Sequence, residues 1–219
     1  NNEISHNAES GISGFRAEYL LVDGNLIVDN EWSGIDLFAG KDGIFTNNTI
    51  LDNQRHGMDV YTEDFHLIEA NNISGSGQYG LYISSADDIS IINNVVTSNN
   101  YHGIQAKDTK GLVVKGNLVD NSGWSGLYIY TNSASVSEIE ISMNMISNND
   151  FEGARIKKMV DSIIHTNIFA SNDDAFDMEG TSNNLIWGND FSAETTFGSD
   201  DGNNRWNSTY PEGGNYWGV

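Results

Sequence analysis

The chain has 219 residues, 31 acidic against 10 basic side chains, a formal net charge of −21, no cysteine and a single proline. That balance excludes a nucleic-acid binder, which needs a basic footprint, and the missing thiols exclude disulfide scaffolds and thiolate metal sites. Twenty-three glycines and abundant Asn and Ser also exclude a helical repeat, which would need strong helix formers.

Read along the chain, Asn25, Asn48, Asn71, Asn94, Asn117, Asn144 and Asn167 recur at intervals of 23, 23, 23, 23, 27 and 23 residues. Such a period marks a stacked-repeat architecture in which neighbouring units supply each other's core. Asn2 already occupies a ladder position, so the chain opens inside the repeat; a leader or capping segment removed upstream is expected. Nine residues after each of the first six stands a glycine: Gly34, Gly57, Gly80, Gly103, Gly126 and Gly153. Beyond each glycine the first and third positions are apolar, as in Ile35/Leu37, Met58/Val60 and Leu81/Ile83, while the second and fourth are polar or aromatic. Alternation over so few residues predicts a strand with one face in and one out.

Three such strands and their turns fill one unit. The expected fold is all-β, a single-stranded right-handed parallel β-helix of about nine rungs, which at ~4.8 Å per rung makes a rod of roughly 40 Å. Asn and Gly at the corners are expected to take left-handed backbone conformations and to stack in amide ladders. The repeat is predicted over residues 1–191, with 192–219 as a C-terminal aromatic-rich cap of the same domain. That tail, Asn204 to Trp217 with Trp206, Tyr210, Pro211, Glu212 and Tyr216, resembles the ending of NosD-like and archaeal cell-surface β-helix proteins. Secretion or surface display is therefore expected, for a monomer or one part of a longer multi-domain chain. No apolar run approaches a membrane span and no signal peptide is seen. Acidic pairs such as Asp173-Asp174 and Asp200-Asp201 leave calcium open as a ligand, although no Asp-x-Asp-x-Asp-Gly loop is present. The metal assignment stays unknown.

Stacking the rungs in register gathers unusual residues on the outward face of the Gly-marked strands. His56, Tyr79, His102, Ser125 and Glu152 share the column before Gly. Asp59, Tyr82, Gln105, Tyr128 and Arg155 share the next, and Tyr61, Ser84, Lys107, Tyr130 and Lys157 the one after. These are the residue types used for sugar stacking, carboxylate recognition and proton transfer. Tyrosines and long polar side chains also ladder on a plain structural sheet, so the columns alone do not decide. Trp32, Tyr101, Trp124 and Phe151 recur two residues before Gly, placed for sugar stacking or for turn packing. His66 falls where other rungs carry Ile89 and Leu112 and reads as a satisfied, partly buried histidine.

From Gly57 to Thr166 the pattern resembles the catalytic module of the mannuronan C-5-epimerases of the alginate system. Asn100-Tyr101-His102-Gly103-Ile104 is similar to that family's Arg-His-Gly-Phe strand, and Ser125-Gly126-Leu127 to its Ser-Gly-Leu-Val-Val. After the long interval, Glu152-Gly153-Ala154-Arg155-Ile156-Lys157-Lys158-Met159 is similar to its Glu-Gly-Val-Leu-Leu-Lys-Met. His56-x-x-Asp59-x-Tyr61 stands where the family has Tyr-x-x-Asp-Pro-His, with Tyr and His exchanged and Val60 replacing Pro. Arg55-His56-Gly57-Met58 competes for the Arg-His-Gly match, but only the His102 register brings the long rung and the Lys157 segment into place.

The resemblance implies a uronan-modifying enzyme, with an acidic polysaccharide as partner and no cofactor required for chemistry. His56, Asp59, Tyr61 and His102 are then the catalytic set. Tyr79, Tyr82, Gln105, Lys107, Tyr128, Tyr130, Arg155 and Lys157 are the substrate-binding set. A base, His102 or His56, would take the C5 proton; an acid, Tyr61 or Tyr82, would return one to the other face and give epimerisation. Protonating the C4 leaving oxygen instead would give a polysaccharide lyase. A third reading is a non-catalytic, carbohydrate-binding NosD-like surface protein. A glycoside hydrolase would want aspartates clustered on adjacent rungs, and only Asp36 and Asp59 share such a column.

Overall fold

The structure, a computed structural model, describes residues 1–62, 64–193, 196–209, 211 and 213–217. The chain coils into a right-handed parallel β-helix of about nine turns. Each turn lays one short strand into each of three parallel sheets. The first sheet has ten strands, from Glu3–Ser5 to Tyr216–Trp217. The second runs over nine, from Ile12–Phe15 to Gly198–Asp200, and the third over nine, from Leu21–Asp23 to Asn203–Arg205. Among the described residues there is no helix, and so none long and apolar enough to cross a membrane.

The alternation after each glycine does what its period demands. Ile35 and Leu37, Met58 and Val60, Leu81 and Ile83, Leu127 and Ile129 all point inward and are sealed from solvent. They meet Ile50, Ile73, Val96 and Ile146 of the first sheet and Phe45, Ile68, Ile91 and Val114 of the third, all likewise buried. Like residues stack on like at one-rung spacing, which suits the β-branched side chains of a fully covered parallel sheet.

The Asn ladder is longer than its regular spacing suggests. Asn2, Asn25 and Asn48 begin it, and past Asn167 it continues through Asn189 to Asn215. Each side-chain amide donates to the next Oδ1 at about 3 Å, as from Asn71 to Asn94 and on to Asn117, both at 3.0 Å. An amide carries both donor and acceptor, so one residue repeated at rung spacing satisfies itself indefinitely.

The left-handed turns, however, belong neither to the ladder Asn nor to the marker Gly. One set falls on the residue just before each Asn, where Gly24, Asn47, Asn93, Gly116 and Gly188 supply the expected residue types and Ala70, Met143 and Thr166 take the same conformation at φ 55°, 57° and 56°; further sets fall at other corners, such as Asp29, Asp52, Thr62 and Ser85. The marker glycines answer a problem of space. A Cβ on Gly34 would sit 2.5 Å from Ile50 Cγ2 and 2.7 Å from the Gly57 carbonyl oxygen.

The four extra residues of the 27-residue interval lie in the turn between Leu127–Tyr130 and Glu140–Ser142, so the strands on either side keep register, with Tyr128 beside Arg155. The C-terminal segment stays in the coil and adds a last strand to each sheet. Its Trp206 and Trp217 pack on Phe176 and Phe191, and Trp206 Nε1 donates to Asp200 Oδ2 at 2.7 Å. Tyr210 and Glu212 of that segment lie outside the described residues.

Candidate functional site

The strands Met58–Tyr61, Leu81–Ser84, Ile104–Lys107, Leu127–Tyr130 and Glu152–Lys157 lie side by side in the second sheet. Their outward columns follow the expected register: Asp59 beside Tyr82, Gln105, Tyr128 and Arg155 in turn. In the preceding column the rings of His56, Tyr79 and His102 stack, with centroids 5.0 and 5.8 Å apart. Tyr82 stacks on both His56 and Tyr79. An outward column is expected to be exposed, yet His56, Asp59, His102 and Gln105 are all buried. Large neighbours one rung away roof over short ones, which no single rung reveals.

Burial sets the electrostatics of the pair near the N-terminal end of this face. Removal from water pushes His56 down to about 3, helped by the adjacent Arg55 charge. The same burial pushes Asp59 up to about 6; Asp36 on the neighbouring rung adds to this and outweighs Arg55. His56 Nε2 and Arg55 Nη1 lie 3.8 and 3.7 Å from Asp59 Oδ2, while Asp59 Oδ1 has no hydrogen-bond partner. Tyr79 and Tyr130 are raised by burial and by neighbouring tyrosines, Tyr130 to about 12. Their hydroxyls therefore keep their protons at neutral pH.

Two rungs on, a cavity of about 220 Å³ opens between His102, Trp124, Ser125, Phe151, Glu152 and Arg155. His102 sits edge-on to Trp124 and against Tyr128, and its Nδ1 accepts the Ser125 backbone N–H at 3.2 Å. Burial pushes this histidine down to about 4. The Ser125 hydroxyl donates to Glu152 Oε2 at 2.7 Å. Arg155 reaches toward Glu152 Oε1 at 3.9 Å and Asp177 Oδ2 at 3.5 Å, with its guanidinium over the Tyr128 ring. Trp124 and Phe151, about half exposed, wall the opening, and Tyr101 stacks on Trp124. A second cleft, of about 600 Å³, continues past Glu152 along Asp174, Asp177, Phe197 and Ser199.

His56, Asp59, Tyr79 and Tyr82 gather at one end of the face and His102, Tyr128 and Arg155 around the cavity, with Tyr130 stacked on Tyr128; the Tyr79 ring, stacked on His102, joins the two groups. Tyr61 stands apart from both, as the end of an exposed stack with Phe38 and Phe15. Lys107 pairs with Asp108 and Lys157 with Glu179, so the three cations of this face make no open positive track. Glu152 is outside both the catalytic and the substrate-binding sets expected from the sequence, although it shares the column of His56 and His102 and opens the Glu-Gly segment of the family resemblance. His66 is buried, and its Nδ1 accepts the Gly43 N–H at 2.7 Å, a structural histidine. Among the described residues no three His, Cys, Asp or Glu side chains converge to hold a metal ion.

The coil and this groove define the class: a right-handed parallel β-helix carrying an aromatic-walled, charge-bearing cavity on one sheet. Residues 60–219 match the family described as periplasmic copper-binding protein (NosD), and the chain belongs to that family. Residues 1–96 match a general right-handed β-helix region. Among solved structures the chain is similar to the A-module of mannuronan C-5 epimerase AlgE6 of Azotobacter vinelandii, at TM-score 0.77 and 16% identity, over 92% of this chain and 58% of that one. The AlgE4 A-module of the same organism matches at 0.73 and 17%, with the same coverage of 92% and 58%. The periplasmic alginate epimerase AlgG matches at 0.73 and 17%, over 89% of this chain and 50% of that one. At these identities the likeness is one of fold, and this chain spans 50–58% of the length of each. No curated protein matches it by sequence.

Proposed function

We propose that this chain acts on an acidic polysaccharide, a polyuronate such as mannuronan, by drawing the proton from C5 of one uronic acid residue. The observation that carries the reading is the cavity in which a guanidinium, a carboxylate and an imidazole meet between aromatic walls. The C5 proton is weakly acidic, and its removal spreads charge onto the neighbouring carboxylate, which must be met by fixed donors. Arg155 supplies a planar donor fork suited to a carboxylate, and Trp124 and Phe151 offer ring faces to the sugar. The cavity is smaller than the ~300–1,000 Å³ of drug-sized ligand sites, as fits one ring with the rest of the polymer outside. Returning a proton to the opposite face of C5 gives C-5 epimerisation; expelling the C4 oxygen from the same anion gives β-elimination. The fold shared with alginate epimerases supports this, as does the family description's periplasm for a secreted or surface location.

The chemistry needs no cofactor. Copper sites favour thiolates, thioethers and imidazoles. This chain has no cysteine, three of its five methionines, Met58, Met159 and Met178, are sealed in the core while Met143 and Met145 are exposed, and among the described residues no three His, Cys, Asp or Glu side chains converge, so neither a thiolate nor an imidazole cluster is present for a resident copper centre.

A second reading, a non-catalytic glycan-binding coil, is favoured by the ion pairing of Lys107, Arg155 and Lys157, which leaves little uncompensated charge to attract a polyanion. The test is incubation with polymannuronate, polyguluronate and other uronans, followed by proton NMR and ultraviolet absorbance. New C5 stereochemistry without absorbance identifies an epimerase, absorbance from unsaturated ends a lyase, and binding without either the glycan-binding coil.

A further inference from the structure

We propose that Glu152 is the base that removes the C5 proton, and that His102 meets the substrate as an N–H donor. The proposal rests on the uronan reading above and assigns its central step.

The argument begins with His102. Its Nδ1 accepts from the Ser125 backbone amide at 3.2 Å, and a backbone N–H only donates. A neutral imidazole has one acceptor and one donor nitrogen, so with Nδ1 accepting, the proton sits on Nε2. A nitrogen that already holds a proton cannot collect another. Reversing the tautomer would strand the buried Ser125 amide without an acceptor. His56 repeats the arrangement with the Tyr79 N–H at 3.4 Å, and its ring is stacked against Tyr79 and Tyr82 away from the cavity.

Glu152 is the carboxylate that lines the cavity. Ser125 Oγ holds its Oε2 at 2.7 Å, which orients the group, while Oε1 lies 3.9 Å from Arg155 Nη1, beyond hydrogen-bond distance. That oxygen keeps lone pairs for a substrate proton. One serine therefore sets both partners: its N–H fixes the tautomer of His102 and its O–H aims Glu152.

In the step itself Glu152 Oε1 bonds to the C5 proton. The C–H electron pair becomes the C5–C6 double bond, and charge moves onto the substrate carboxyl oxygens, where His102 Nε2–H and Arg155 donate. Water at the open side of the cavity then gives C5 a proton on the opposite face, and the hydroxide left behind takes the proton from Glu152. Atoms and charge are restored, and the new C5 hydrogen comes from solvent.

The experiment follows C5 deuteration of polymannuronate and polyguluronate in D2O by NMR, with polymer affinity measured separately. In Glu152→Gln the amide oxygen still accepts from Ser125 and Arg155 keeps Asp177, so affinity for the polyanion is expected to hold or rise a few-fold while exchange falls about 10²–10⁴-fold. Glu152→Ala is expected to regain exchange with added formate, a small base that enters the vacated space; a merely positioning role would show no rescue. If the glutamine variant fails to fold, as read by circular dichroism, the formate rescue of the alanine variant decides alone. Wild-type exchange in Glu152→Gln, or its loss without rescue in Glu152→Ala, overturns the assignment of the base. A wild-type protein that exchanges no uronan overturns the reading beneath it as well.

Discussion

Ser125 donates its backbone N–H to His102 Nδ1 at 3.2 Å, and that bond joins the protonation of a site residue to the integrity of the coil. Burial of the ring, helped by the nearby Arg155 charge, makes the folded state resist a charge that the unfolded chain accepts freely.

Acid should consequently destabilise this protein through its histidines. His102 titrates near 4 and His56 near 3 when folded, against an ordinary 6.5 for a histidine in water. Depressed histidines contribute stability that is complete above the unfolded value and is lost as pH falls from about 6.5 toward the folded values, at about 1.4 kcal/mol per pH unit for each. Asp59 carries the opposite sign: raised to about 6, it favours the fold below its unfolded value and costs stability once ionised. Urea denaturation at pH 7 and pH 4.5 should show the gap between wild type and His102→Asn narrowing by about 2–3 kcal/mol. Asp59→Asn should gain on wild type toward pH 7. A pH-independent gap for His102→Asn would contradict the buried, neutral ring.

Interior ladder positions should be costly to lose. Asn94 Oδ1 accepts the Asn71 backbone N–H at 2.9 Å and the Asn71 side chain at 3.0 Å, and its own amide donates to Ile68 O and Asn117 Oδ1. Asn94→Ala leaves several of these buried groups unpaired, at about 1–3 kcal/mol each, so a loss of at least about 2 kcal/mol is expected. Asn2→Ala, at the exposed end of the ladder, should cost far less, and thermal melts of the two variants rank them directly.

The pairing of Lys157 with Glu179 offers a test of substrate charge. The ion pair draws Glu179 below the usual carboxylate range, so the lysine is compensated at neutral pH. Glu179→Gln frees it, and affinity for polymannuronate should rise a few-fold, with a steeper dependence on salt. Binding of a neutral glucan should not change. An equal effect on both polymers would argue against an anionic ligand at this end of the sheet.

Much of this molecule is legible in its order of residues. Period-two alternation after Gly34, Gly57 and Gly80 reports which side chains face the core, because side-chain direction along a strand is local. The Asn interval gives the register, and all the outward columns, from Asp59 to Arg155, follow it. The backbone roles of the corners are less legible: crowding by Ile50 and its equivalents explains the glycines, and crowding is a property of two rungs at once.

The amino-acid sequence by itself determined the coil, its register and the face that carries His56, Tyr79, His102 and Glu152, since each follows from spacing along one chain. Only the tertiary structure decided which of these sit together as one site. Burial of His56 and His102 comes from rings on adjacent rungs, pairing of Lys157 from Glu179 one rung on, and the aim of Glu152 from a serine 27 residues earlier that the long turn leaves in register. Dielectric, hydrogen-bond partner and tautomer are properties of neighbours in space, and a repeat pattern says which column a residue joins without saying what its neighbours do to it.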